Sequence, residues 1–166
     1  MRAVRGSRRK WGLSTPSLVF LGVVAGWGQT VEKNVMVPMR DGVRLATDLY
    51  FPARDGKFPA VMERTPYNKD GAGGSWARWF AARGYVAVVQ DTRGRYSSEG
   101  VWHMLTDDAA DGFDTAAWIV KQPWSDGGFG TVGTSYPGGT QHALALSNPP
   151  GLKASVPVDA VSNSNG

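Results

Sequence analysis

Val132-Gly133-Thr134-Ser135-Tyr136-Pro137-Gly138-Gly139 is the stretch on which the reading of this chain turns. Gly133, Ser135 and Gly138 follow the G-x-S-x-G pattern of a nucleophile elbow, with the second glycine one residue late. In such an elbow a serine sits on a strained strand-to-helix turn, and small flanking residues let the backbone bend without a Cβ clash. Pro137 suits the first helical position, where its missing N–H costs no hydrogen bond. Upstream, Gly130-Thr131-Val132 reads as a short buried strand, and downstream Gly139–Leu146 reads as a helix closed near Pro149. A hydroxyl presented there faces the positive end of a helix, which favours negative charge developing beside it. The alternative reading is a serine that merely caps a helix in a glycine-rich turn.

Outward from this turn the chain alternates short strands and helices. Val31–Pro38 and Arg44–Phe51 flank Arg40-Asp41-Gly42, an Asp-Gly hairpin signal that predicts two antiparallel strands. Pro59–Arg64 reads as a third strand, ending at Thr65-Pro66-Tyr67-Asn68-Lys69. After the glycine-rich loop Gly71–Gly74, Ser75 is placed to cap a helix through Arg83, with Trp76, Trp79 and Phe80 as its apolar stripe. Gly84 ends that helix, and Tyr85–Gln90 is a buried strand that stops at Asp91-Thr92-Arg93-Gly94-Arg95. Thr106 is placed to cap a second helix, Asp107–Gln122, and Lys153–Val158 is a last strand. The pattern predicts an α/β fold, a mostly parallel sheet led by an antiparallel hairpin.

The chain has 166 residues, which suits one domain, and 42% hydrophobic residues, enough for a core. It lacks cysteine, which excludes disulfides, a thiolate nucleophile and cysteine-ligated zinc. The net charge of +4 resides in Arg2, Arg5, Arg8, Arg9 and Lys10, so the remainder is close to neutral and carries no footprint for nucleic acid. Residues 1–28 join that basic start to the apolar run Leu18–Ala25 and then small residues, the pattern of an export signal. The run is too short to span a bilayer, so the reading is an exported protein without a stable membrane anchor. The pair Arg8-Arg9 also suits a twin-arginine signal.

Two other patterns lead nowhere. Gly128-Phe129-Gly130-Thr131-Val132-Gly133 spells G-x-G-x-x-G, but a dinucleotide fingerprint follows a strand and opens a helix, whereas here a strand runs through it. Asp107, Asp111 and Asp114 share a helix face and read as a solvated face rather than a cation site, since an oxygen-ligand loop is missing. Asp91, Arg93 and Arg95 stand at a strand's carboxyl end, where they either touch substrate or pin the loop through an internal ion pair.

Five ordered blocks carry a family resemblance: Met39–Leu45, Arg64–Asn68, Gln90–Arg95, Ser98–Gly100 and Gly133–Gly138. Together they resemble the Xaa-Pro dipeptidyl-peptidase-like hydrolases, which include cocaine esterase and the α-amino acid ester hydrolases. The resemblance implies the amino-terminal half of an α/β-hydrolase fold with helices on both faces of the sheet. It implies a secreted serine hydrolase of the acyl-transfer type, with no metal or organic cofactor, acting on a small ester, amide or peptide. Ser135 would be the nucleophile, and the backbone N–H of Tyr136 and the phenol of Tyr67 would hold the oxyanion. Two preset donors about 3 Å from that oxygen stabilise it, and losing one costs about 10²–10³ in rate. The alternatives are a peptidase releasing Xaa-Pro dipeptides and, from another class, a non-catalytic exported binding or scaffold module that retains the elbow as a relic.

The resemblance also exposes a gap. In this fold the serine is followed by an acid and then a histidine. The 31 residues after Ser135 contain His142 and Asp159. His142 lies seven positions along the nucleophile's own helix, about 10 Å away by helical rise, out of reach of the serine oxygen. His103 lies in a loop before the serine and reads as a surface or packing residue, and Asp159 precedes the place where the family's acid stands. Residues 29–166 are therefore expected to be a partial hydrolase domain, truncated before its catalytic acid and histidine and with little turnover alone.

Overall fold

The computed structural model describes residues 29–52, 55–71 and 73–160. The leader expected over residues 1–28 and the side chain of Ser75 lie outside what is described; the backbone of Ser75 falls inside the first helix rather than at its cap. Six strands and three helices follow in the order β1 (Thr30–Pro38), β2 (Arg44–Phe51), β3 (Phe58–Thr65), α1 (Gly73–Ala81), β4 (Val86–Asp91), α2 (Asp108–Lys121), β5 (Ser125–Thr134), α3 (Tyr136–Leu146) and β6 (Leu152–Val158). They build one sheet in the order β1-β2-β4-β3-β5-β6. β1 and β2 pair antiparallel, as do β2 and β4; every pair from β4 to β6 is parallel.

The hairpin forms as its Asp-Gly signal predicts. Gly42 takes φ +88°, a value a side chain would oppose, and the Met39 amide closes the turn on the Val43 carbonyl at 2.8 Å. Beyond it, the pleat of β4 sorts the core onto two faces. Val86 and Val88 pack with Leu49, Met62, Phe129, Ile119 of α2 and Leu144 of α3 on one side. Ala87 and Val89 pack with Tyr50 and with Ala77 and Ala81 of α1 on the other. Helices therefore cover both faces, the layered α/β arrangement that buries a parallel sheet.

Four expectations need correction. β5 runs from Ser125, well before Gly130: its glycines give little strand propensity, yet β3 and β6 supply ladder partners on both sides. Asp107, rather than Thr106, occupies the N-cap of α2, and the Thr106 hydroxyl instead donates to the Met104 carbonyl at 3.3 Å. Trp79 does not join the core stripe of α1; it is 52% exposed, with the Arg83 guanidinium stacked 3.6 Å from its ring centre. The acidic face of α2 is not solvated: Asp111 is buried on Arg93 at 2.6 Å, and Asp114 holds Arg40 at 2.8 Å.

A buried polar chain crosses the core behind β3 and β4. The Arg64 guanidinium donates to the Gln90 side chain at 2.9 Å and to the Asp108 carbonyl at 2.7 Å, and sits 3.0 Å from the Asp108 carboxylate. Gln90 passes the chain on to Thr47 of β2 at 3.0 Å, and Thr115 of α2 donates back to it at 3.1 Å. Removing a single partner from such a buried pair leaves an uncompensated charge. Arg64→Ala is expected to lower unfolding free energy by about 3–5 kcal/mol in denaturant titrations; a loss below about 1 kcal/mol, the scale of an exposed pair, would contradict this account.

Candidate active site

The connections place the loops after β3 and β5 on opposite sides of one crevice. β3 is followed by α1 and then β4, its neighbour on one flank, whereas β5, its neighbour on the other flank, leads through α3 to β6. Neighbouring strands whose connections diverge in this way form a topological switch point, where open α/β sheets bind ligands outside their carboxyl ends. Met62 is level with Thr131, and carrying that register forward sets the end of β3 beside the end of β5. Tyr67 follows the first end and Ser135 the second.

Ser135 adopts φ 63° and ψ −119°. A non-glycine residue with this backbone is a real outlier, costing about 1–3 kcal/mol and persisting only where its surroundings enforce it. Enforcement comes from three sides. The Ser135 amide donates to the Val158 carbonyl of β6 at 2.9 Å, and the Ser135 carbonyl accepts from Gly138 and Gly139 at 2.9 and 3.0 Å. A side chain on Gly133 would run into Pro137, with Cβ 2.5 Å from Pro137 Cβ, and one on Gly138 would come within 2.6 Å of Ala160 Cβ. The late glycine of the motif is thus required by close approach to the end of β6.

The helix begins immediately after the serine, at Tyr136, rather than at Gly139, and Pro137 is its second residue rather than its first. Ser135 occupies the N-cap, but its side chain makes no capping hydrogen bond and the residue is exposed. That removes the capping alternative and leaves the hydroxyl without an intrahelical task. The Tyr136 N–H, belonging to the first helical residue, has no acceptor within the helix.

The Tyr136 phenol reaches in the opposite direction. It donates to the Asp108 carboxylate at 2.8 Å and accepts from the Leu105 amide at 2.8 Å and the Trp102 indole at 3.3 Å. Burial, reinforced by the charge of Asp108 and partly opposed by the Leu105 N–H, holds this phenol above the ordinary tyrosine range. It therefore stays protonated and fixes the residue that carries the expected oxyanion amide. Tyr67 meets the same residue from the crevice side. The two rings pack edge to face with centroids 6.4 Å apart, and Tyr67 is 59% exposed, more open than a half-buried loop aromatic.

Other sequence-selected residues fall elsewhere. His142 lies on α3, and His103 is an exposed loop residue 3.6 Å from Asp107. Arg93 does pin its loop, but to Asp111 and Asp41 rather than to Asp91, and Arg95 donates to the Pro66 carbonyl at 3.1 Å. Sequence reasoning overlooked Glu63, which lines a hollow of about 460 Å³ beside the elbow together with Tyr67, Thr134, Pro137 and Val158. Its signal was available, since an acid interrupts the apolar run Pro59–Met62. Burial pushes the Glu63 carboxyl up to about 7, outweighing the opposing Trp76 indole, which itself completes no hydrogen bond.

Residues 41–166 match the model of the X-Pro dipeptidyl-peptidase (S15) family. The chain belongs to this family. Cocaine esterase of Rhodococcus sp. (strain MB1 Bresler) is 48% identical over 134 residues, a match covering 77% of this chain and 23% of the esterase. Among solved structures, an α-amino acid ester hydrolase superposes with a TM-score of 0.71 at 34% identity, over 91% of this chain and 29% of that one. A CocE/NonD family hydrolase from Staphylococcus aureus gives 0.70 at 33% identity, over 76% and 27%. The fold is that of the α/β hydrolases, and the S15 family is one of serine hydrolases, esterases and peptidases. The chain spans about a quarter of the length of the curated relatives it matches.

Two measurements check the site's physics. Ser135→Gly relieves the left-handed strain and is expected to raise the unfolding free energy by about 1 kcal/mol, whereas Ser135→Ala keeps it; equal stabilities of the two variants would contradict a strained elbow. For Glu63 the folded-state carboxyl is raised, so the stability it contributes is complete below about pH 4.5 and is lost as pH rises to about 7. Measured against Glu63→Gln, the native protein should therefore lose relative stability over that interval; a flat difference would show that the carboxyl is not held high.

Proposed function

We propose that this chain supplies the nucleophile and oxyanion-binding half of an exported serine hydrolase that performs acyl transfer on small esters or amides. The observation that carries the reading is Ser135: a strained residue, free of any capping duty, at the switch point beside Tyr67 and at the head of α3. Its hydroxyl attacks the substrate carbonyl, and the proton passes to a general base. The negative charge that builds on the carbonyl oxygen falls between the Tyr136 N–H and the Tyr67 hydroxyl. The amide costs nothing to reorganise, because helix geometry and the Asp108 tether fix it beforehand.

Export is inferred from the basic, apolar and small-residue sequence of positions 1–28. His142 is excluded as base by its distance along α3. His103 is an exposed loop residue 3.6 Å from Asp107, with no hydrogen bond to the elbow among the described residues. The reading therefore assigns the base and its carboxylate to sequence outside this chain, consistent with the fraction of its relatives that the chain spans. Release of Xaa-Pro dipeptides is the second reading, supported by the description of the family model. A non-catalytic scaffold is disfavoured, because the strain at Ser135 costs stability and returns nothing without chemistry.

In the S15 protein that contains this chain, a fluorophosphonate is expected to label Ser135, with labelling abolished in Ser135→Ala. Tyr67→Phe should lower kcat on an activated acetate ester by about 10²–10³. Labelling that survives Ser135→Ala, or a Tyr67→Phe enzyme of native rate, would overturn the assignment.

A further inference from the structure

The Tyr67 ring is mostly exposed, and the ring contact it makes is the edge-to-face one with Tyr136. Side-chain packing alone therefore does little to fix its hydroxyl, whose position depends on the backbone of residues 65–69. That backbone is held at several points. The Tyr67 amide donates to the Thr65 hydroxyl at 3.1 Å, Arg95 holds the Pro66 carbonyl at 3.1 Å, and Asn68 turns the chain with φ 82°. At the next residue the exposed loop plunges inward. Lys69 is fully buried, one of the largest side chains in the interior to be so.

A lysine with no exposure is a costly group to place, because an ammonium leaves water only where carboxylates replace its hydration. Here three do. The Lys69 ammonium lies 3.3 Å from Asp70, 3.4 Å from Asp48 and 3.9 Å from Asp91, while the Lys69 amide donates to Asp91 at 2.8 Å. Lys33 balances the cluster from the solvent side, 2.5 Å from Asp48 and 2.7 Å from Asp70. Asp48 belongs to β2 and Asp91 closes β4, so two acids of the cluster are fixed on central strands of the sheet. Such a socket accepts the loop in one seating. Any other would strand either the ammonium or the buried carboxylates.

We infer that Lys69 is a positioning residue for the Tyr67 hydroxyl: its buried ammonium, ion-paired with Asp48 and Asp70, and its amide, bonded to Asp91, set the loop from which the phenol reaches the oxyanion. The inference rests on the reading of Tyr67 as oxyanion donor. Displacing a group by about 1 Å through a change remote from the chemistry can cost on the order of 10² in rate. Lys69 touches no substrate, so its effect passes entirely through Tyr67.

The test uses Lys69→Met in the S15 protein that contains this chain, combined with Tyr67→Phe. Lys69→Met is expected to lower kcat on the activated acetate ester by about tenfold to a hundredfold with little change in KM, and by less than about twofold when Tyr67→Phe is already present. Lys69→Arg should restore part of the loss. With fluorotyrosine incorporated, the Tyr67 fluorine resonance should move toward its value in unfolded chain in Lys69→Met and stay in place in Lys69→Arg. Equal losses in both backgrounds, or an unmoved resonance in a folded Lys69→Met protein, would overturn the inference. If Lys69→Met does not fold, Asp91→Asn carries the same comparison, since it keeps an acceptor for the Lys69 amide and removes the charge. A native rate in Tyr67→Phe with a displaced resonance in Lys69→Met would sink the oxyanion reading while sparing the positional one.

Discussion

The structure depends on one buried cation. Arg64 sits on β3 at 2% exposure, and its guanidinium collects a side chain from β4 and both the carbonyl and carboxylate of Asp108 at the head of α2. The geometry is forced by cost: a guanidinium withdrawn from water must find acceptors in the plane of its fork, and few arrangements of strand and helix supply them. Once Arg64 Nε and Nη1 have these acceptors, α2 has its position over the sheet; Nη2 completes no hydrogen bond. Asp108, held from one side by Arg64, accepts the Tyr136 phenol on the other. The orientation of the residue after the serine is therefore inherited from an ion pair in the core, through two hydrogen-bonded steps.

The elbow adds a second constraint of a different kind. Strain at Ser135 is sustained because β6 takes its amide, the first turn of α3 takes its carbonyl, and close contacts at Gly133 and Gly138 leave no room for a relaxed alternative. Stabilising interactions in the core thus offset a local loss at the surface, which is how a residue is kept in a conformation that it would abandon by itself. Tyr67 completes the crevice from the opposite strand, its placement owed to a lysine that solvent never reaches.

Much of this was legible in the sequence, for reasons that differ from element to element. The hairpin was readable because Asp41-Gly42 is a local turn signal set between two short strand-like runs. The elbow was readable because its glycines and its serine are adjacent in the chain. Glycine hides the early part of β5, a strand whose stability comes from its neighbours, and Gly138 hides the first turn of α3, since it looks like a helix breaker until Ala160 is seen against it. The acids of α2 were misread because their partners, Arg93 and Arg40, lie far away in sequence. Proximity of Tyr67 to the elbow came from family resemblance, not from local pattern; chain connectivity at the switch point then supplied the physical reason.

The bond from the Ser135 amide to the Val158 carbonyl has a bearing on the order of assembly. During synthesis the strands emerge from β1 onward, and everything up to β5 can pair before β6 exists. Until β6 docks, the Ser135 amide lacks its Val158 acceptor, and the bend is held only by the first turn of α3 and the close approach of Gly133 to Pro137. The bend is in this sense completed late: pairing of β6 with β5 adds the bond that holds the Ser135 amide.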